Sequence, residues 1–182
     1  MWVVNNCTAK SGRLEYAKEL SEHIDVDHNC SGVEHCLRDY FFYLLFENVL
    51  CEDFVTSKLY NALSYNVVPI VYGGADYRIF APPQSHINVF HYHSPEDLAK
   101  YLKWLLKNPE MYKKYFQWKK FYKIERGAYR VTCDLCRFLH EEQGPRVSER
   151  IFSEWFSQGR CPLQGFLHDQ KYVTRAMFNN QN

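Results

Sequence analysis

Apolar residues follow two rhythms along this chain: short runs that are apolar at nearly every position, and longer stretches where they recur every three or four. Trp2-Val3-Val4 is the first run and predicts a strand; residues 5–12 form a polar loop, and Leu14, Ala17, Leu20 and Ile24 mark one face of a helix. Ile24 to Asp27 alternates and could begin a second strand, and residues 28–39, without period, read as loop. Phe41 to Phe46 is apolar on both parities, as expected of a central strand covered on both faces of a parallel sheet. Val55, Leu59, Ala62 and Leu63 line a helix predicted to begin near Asp53, and residues 67–72 give another buried strand. Pro69 sits inside that strand, although proline belongs at a strand's start or edge.

Gly73-Gly74 ends that run, and Pro82-Pro83 makes residues 77–85 read as an extended surface loop. Residues 88–92 predict a short strand. Ser94-Pro95-Glu96-Asp97 combines a capping hydroxyl, a proline at the first helical position and acids in the first turn, so a helix through Leu98, Tyr101, Leu102 and Leu105 follows. Pro109 opens another, carrying Met111, Tyr115, Phe116 and Trp118. After Gly127 the pattern weakens, and the chain divides into a domain over residues 1–140 and an irregular tail over 141–182 that packs on it. Strands alternating with helices predict an α/β fold, a Rossmann-like parallel sheet with helices on both faces. Ligands of such folds sit at the carboxyl ends of the strands. Three segments meet there: the loop with Arg13, Glu47-Asn48, and Gly73-Gly74.

Composition narrows the classes. Of 182 residues, 46 % are hydrophobic and 17 % aromatic, enough to bury one core and exclude disorder along the whole length. A net charge of +1 supplies no broad basic face for nucleic acid, so an anion must be held locally. No apolar run is long enough to cross a bilayer and no signal-peptide pattern follows Met1, so a soluble chain without its own address is expected. Seven cysteines cannot all pair within one chain; with the sequons Asn6-Cys7-Thr8 and Asn29-Cys30-Ser31 they favour the secretory pathway.

The chemistry concentrates between Phe46 and Lys58. This segment leaves a buried strand with Glu47 and Asn48, turns, and enters a helix beside Thr56, Ser57 and Lys58. Amide donors, a helix start and one ammonium suit a phosphate or diphosphate. Arg13 can clamp the same group from across the crevice, bidentate where Lys58 is a point charge.

In order along the chain, Phe41 to Lys58, Lys58 to Leu63, Val68 to Gly73, Tyr77 with Pro82 to Ser85, Ser94-Pro95, Leu98 to Leu102 and Tyr115 to Lys119 resemble the donor-binding half of α-1,3-fucosyltransferases. Cys133-Asp134-Leu135-Cys136 and His140 to Gln143 are most similar to invertebrate and plant enzymes acting on the N-glycan core. The resemblance implies a GT-B glycosyltransferase, inverting and metal-independent, that uses GDP-fucose and needs no other cofactor. It implies that Arg13 and Lys58 hold the diphosphate and that Asn48 bonds the phosphate or sugar end, with Glu47, Phe54, Thr56 and Ser57 completing the donor site. Phe54 stands where the family usually has tyrosine, and Ser57 where it has a ribose-binding glutamate, so weakened donor binding is expected. Asn5 replaces a serine. The resemblance further implies a Golgi enzyme facing the lumen, whose anchor and acceptor-binding domain are missing from this chain. The base that deprotonates the glycan acceptor belongs to that domain, so no catalytic residue is expected here and the chain alone is expected to be inactive. Membrane contact is expected only through the missing anchor.

Other readings remain at this point. Asp25-Val26-Asp27 is a D-x-D triplet of the kind that holds divalent metals elsewhere, here expected to be a solvated strand end with no metal. Cys133 and Cys136 with His140 imitate half a zinc site, to be completed by Cys161 or His168. The resemblance makes these two cysteines disulfide candidates instead, paired internally or to the other domain. His86, His91 and His93 read as surface imidazoles, and Tyr112, Tyr115, Phe116 and Trp118 as a core-packed face. Lys113-Lys114 and Lys119-Lys120 form a small basic patch with no nucleic-acid partner expected. Two further functions compete with the enzyme: a non-catalytic nucleotide-sugar-binding module, and a metal-stapled interaction domain.

Overall fold

The structure, a computed structural model, describes residues 1–4, 9, 11–29, 36–125 and 129–141. Within them five parallel strands form one sheet: β1 (Trp2–Val3), β2 (His28–Asn29), β3 (Phe42–Phe46), β4 (Val68–Tyr72) and β5 (Ile87–Asn88), in the order β2-β1-β3-β4-β5. β3 and β4 pair over their whole length, Phe42 against Val68 through Phe46 against Tyr72, and all ten residues are buried.

Strand periodicity splits these residues between two faces. Phe42, Leu44, Phe46, Val68, Ile70 and Tyr72 pack with α1 (Arg13–Ser21) and α4 (Pro95–Lys107) through Tyr16, Leu20, Leu98 and Leu102. Tyr43, Leu45 and Val71 pack on the other face with Leu59, Ala62 and Leu63 of α2 (Lys58–Leu63), Tyr77 of α3 (Tyr77–Phe80) and Trp118. Sequential crossovers therefore cover both faces, and the expected α/β fold is the one observed.

Pro69 fits because of its register. Val68 donates to Phe41 at 2.9 Å, toward β3, so the nitrogen of the next residue points the other way. β5 begins pairing only at Ile70, so no strand faces Pro69 on that side.

Other boundaries depart from the sequence reading. The second strand is His28–Asn29, in the stretch read as loop, and Trp2 donates to Asp27 O at 2.8 Å beside it. α2 starts at Lys58 rather than near Asp53, because Asp53 has φ 61 and breaks the helical path. Residues 77–80 are helical, not extended: the Asp76 carboxylate caps the turn by accepting from the Arg78 amide at 3.1 Å, and Ala81 is extended before Pro82. The strand expected at 88–92 is Ile87–Asn88, followed by a 3-10 turn, Val89–His91, which Asn88 caps. α4 begins as predicted, Ser94 Oγ accepting from Asp97 N at 3.1 Å. α5 (Pro109–Lys114) starts at Pro109 but stops early, leaving Trp118 in the 3-10 turn Gln117–Lys120. A sixth helix, α6 (Tyr129–His140), occupies the region where the pattern weakened. The tail over 142–182 lies outside the described residues.

Beyond β4, the chain passes so close to the turn after β3 that a side chain would not fit. A Cβ on Gly74 would lie 2.6 Å from the backbone carbon and oxygen of Leu50 and 2.8 Å from Cys51 O. Gly74→Ala is expected to lower the unfolding free energy by about 1–3 kcal/mol. Urea denaturation measures this; an unchanged midpoint would show that the two turns do not meet.

Candidate functional site

The strand order fixes where a ligand fits. β1 and β3 are neighbours, yet the connection from β1 runs through α1 on one face and that from β3 through α2 on the other. The loops separate there, opening a crevice at a topological switch point.

The crevice wall is a lattice of long-range hydrogen bonds. Gly12 takes φ 76, a left-handed conformation natural to glycine, and α1 then begins at Arg13. The Arg13 guanidinium donates to Phe46 O, the end of β3, at 2.7 Å, and the residue is only 2 % exposed. Ser11 Oγ donates to Glu47 O at 2.9 Å, and the Tyr72 hydroxyl donates to Ser11 O at 2.7 Å. The start of α1 is thereby fastened to the ends of both β3 and β4.

The loop after β3 is held by its own carboxylate. Glu47 is 1 % exposed, and its Oε1 accepts from the amide and the hydroxyl of Thr56, both at 2.9 Å. This bond closes the loop nine residues on and delivers Lys58 to the crevice. Burial first, and then the Arg13 guanidinium, hold the Lys58 ammonium below the ordinary lysine range, with Glu47 opposing. Tyr43, on the next layer, is pushed up to about 12 by burial and then Glu47, with Arg13 opposing.

Asn48 is exposed beside Glu47, and Phe54 is half-buried with its amide donating to Cys51 O at 3.3 Å. Ser57 is exposed at the start of α2 and makes no side-chain capping bond. All seven residues singled out in the sequence therefore lie at one end of the sheet, on the start of α1 or on the connection from β3 to α2. Asn5 lies outside the described residues.

Sequence reasoning missed Tyr77. It is 1 % exposed, its hydroxyl crowds the space where Gly73 would carry a Cβ, beside Glu47 Cγ, and burial and then Glu47 raise its pKa. Its signal was the glycine pair, whose missing side chains leave room for a phenol, but only the register shows that. His86 corrects another expectation: it is half-buried against the Tyr77 ring at 5.7 Å, and burial and then His91 push it down to about 4, with Asp76 opposing. His91 and His93 are exposed.

Cys133 and Cys136, the disulfide candidates, are free and exposed on α6, because both project from a helix whose residues 131–141 are all exposed. Cys51 is disulfide-bonded. Cys136 Sγ lies 3.9 Å from His140 Nδ1, while that nitrogen is 2.7 Å from Cys136 O; Cys161 and His168 lie outside the described residues. Among the described residues no group of three His, Cys, Asp or Glu could hold a metal ion, and no helix is long and apolar enough to cross a membrane. Asp25 and Asp27 are exposed on the approach to β2.

Residues 1–155 match the family described as glycosyltransferase family 10 (fucosyltransferase) C-term. Alpha-(1,3)-fucosyltransferase C of Drosophila melanogaster is 39 % identical over 178 residues, covering 90 % of this chain and 41 % of that protein. Glycoprotein 3-alpha-L-fucosyltransferase A of the same fly is 38 % identical over 184 residues, covering 91 % of this chain and 36 % of that protein. A crystal structure of an alpha1,3-fucosyltransferase with GDP-fucose superposes with a TM-score of 0.60 at 17 % identity, over 81 % of this chain and 48 % of that one. The chain spans less than half the length of these relatives. With its parallel sheet and helices on both faces, it belongs to glycosyltransferase family 10, the fucosyltransferases, and carries the family's C-terminal unit.

Proposed function

We infer that this chain is the donor half of an inverting α-1,3-fucosyltransferase and holds GDP-fucose in the crevice between β1 and β3. The observation that carries this is that two cations, Arg13 at the start of α1 and Lys58 at the start of α2, stand at the same end of the sheet beside its switch point. Confining two positive charges costs energy that a bound pyrophosphate returns. Arg13, buried and fixed by Phe46 O, supplies a rigid guanidinium charge, and Lys58 supplies a point charge. Asn48 and Ser57, both exposed at the mouth, face the sugar and ribose ends, and Phe54 and Thr56 frame the loop between them. Glu47 supports the site through Thr56 rather than touching the donor.

In this reading the domain presents the diphosphate as leaving group, with no metal. Fucose is transferred to N-acetylglucosamine of a glycan, and the base that takes the acceptor's proton must lie within hydrogen-bond reach of the attacking oxygen. That base comes from the acceptor half of the enzyme, and the whole works at the lumenal face of the Golgi membrane. Phe54 and Ser57 remove polar contacts, so donor affinity is lower than in relatives with tyrosine and glutamate there. The CxxC cysteines, Cys133 and Cys136, are the pair that an oxidising lumen would bridge.

Calorimetry with GDP tests the site. Saturable binding is expected, weakened at least tenfold by Lys58→Ala, about 1–3 kcal/mol. The folded lysine is depressed, so its charged form opposes folding, and the same variant is expected to keep or slightly raise the urea midpoint of the free chain. A folded chain that ignores GDP would overturn the reading.

Ser57→Glu supplies the missing ribose contact without removing a capping bond. GDP affinity is expected to rise by about 1–3 kcal/mol; unchanged or weaker binding would contradict the ribose assignment.

A further inference from the structure

Three buried phenols, Tyr16, Tyr43 and Tyr77, carry hydroxyls that meet no hydrogen-bond partner among the described residues. A buried hydroxyl left unpaired is disfavoured, and a phenylalanine would fill much the same space without that cost. For Tyr77 the structure shows what lies opposite. A Cβ built on Gly73 would meet the Tyr77 hydroxyl, with the ring carbon that bears it at 3.3 Å and Glu47 Cγ at 3.2 Å. The phenol tip and the Glu47 side chain therefore border one small space, which glycine leaves open.

The ring is held in place behind that space. Tyr77 opens α3, where the Asp76 carboxylate accepts from the Arg78 amide at 3.1 Å and the Ala81 amide donates to Tyr77 O at 2.9 Å. The ring packs on the half-buried His86 at 5.7 Å and lies in the same core layer as Leu59 and Trp118. Glu47 has acceptor capacity to spare: a carboxylate offers about four lone-pair positions, and Thr56 uses Oε1 alone. Burial and then Glu47 raise the Tyr77 pKa, so the phenol keeps its proton and remains able to donate.

We propose that Tyr77 is a positioning residue of the donor site, its hydroxyl donating to the Glu47 carboxylate once the donor settles the loop between β3 and α2. Tyr77 then acts through Glu47, and Glu47 through Thr56, on the start of α2 where Lys58 stands. It touches no donor atom itself. This inference rests on the donor reading of the crevice.

Urea denaturation and GDP calorimetry of the full chain test it together. The hydroxyl has no partner before the donor arrives, so Tyr77→Phe is expected to leave the urea midpoint unchanged or raise it. The same variant is expected to bind GDP about fivefold or more weakly, because the bond is made only with the donor in place. That loss is expected to shrink below about twofold in a Glu47→Gln background, where the charged acceptor is gone. A residue that only packs would lower the midpoint and leave the affinity of the folded chain unchanged, which would overturn the proposal. So would a loss that persists in full beside Glu47→Gln. A second measurement needs no variant: in tyrosine-labelled chain the Tyr77 hydroxyl proton, assigned by NMR through its own ring protons, is expected to move downfield and exchange more slowly on adding GDP. A proton that GDP leaves as it was would contradict the bond. GDP binding that Lys58→Ala weakens and Tyr77→Phe does not would overturn this inference alone, whereas a folded wild-type chain that ignores GDP would overturn both.

Discussion

Two positive charges at one end of the sheet organise this molecule. Arg13 and Lys58 come from opposite sides of the sheet's switch point, one at the start of α1 and one at the start of α2. Left alone they repel, and Lys58 is half-buried as well, so its ammonium is doubly disfavoured. A fold keeps such an arrangement only if other bonds impose it. Here the Arg13 bond to Phe46 O, the Ser11 bond to Glu47 O and the Glu47 clasp on Thr56 do so. The cost is local and electrostatic.

The sheet supplies the stiffness. β3 and β4, ten buried residues in register, place Phe46 and Tyr72 side by side at their carboxyl ends. Phe46 offers the carbonyl that fixes Arg13, and Tyr72 reaches Ser11 with its hydroxyl. Tyr16 and Phe46 pack edge to face at 5.7 Å, and Tyr16 also meets Tyr72 at 5.4 Å, so α1 is positioned by the same two strand ends. The two strand ends that hold the aromatic cluster are therefore the same ones that bond the start of α1.

The central strands and α4 were legible because their signals are local. Five apolar residues in succession announce a buried strand, and Ser94-Pro95 announces a helix start. β2 and β5, two residues each, are too short to carry a period and exist only through pairing with longer neighbours. Asp53 kept α2 short by a backbone angle that composition does not reveal. α6 has Val131, Leu135, Phe138 and Leu139 at helical spacing, but the sequence reading saw only a weakening pattern there, and all four are exposed. At the site, residue types pointed to the diphosphate chemistry, whereas the support did not show. Glu47 entered the donor site through the resemblance, and its bond to Thr56 appears only once the loop is closed. Tyr77 was hidden by the prolines that follow it.

The most direct test is the ionisation of Lys58 itself. In lysine-labelled protein, with the Lys58 resonance assigned by its absence in Lys58→Arg, the ammonium is titrated by NMR with and without GDP. It is expected to titrate below the ordinary lysine value of about 10.4 in the free chain and to move upward when GDP binds. An ordinary value that GDP leaves in place would contradict the account, because Arg13 and Lys58 would then not share a crevice that needs an anion.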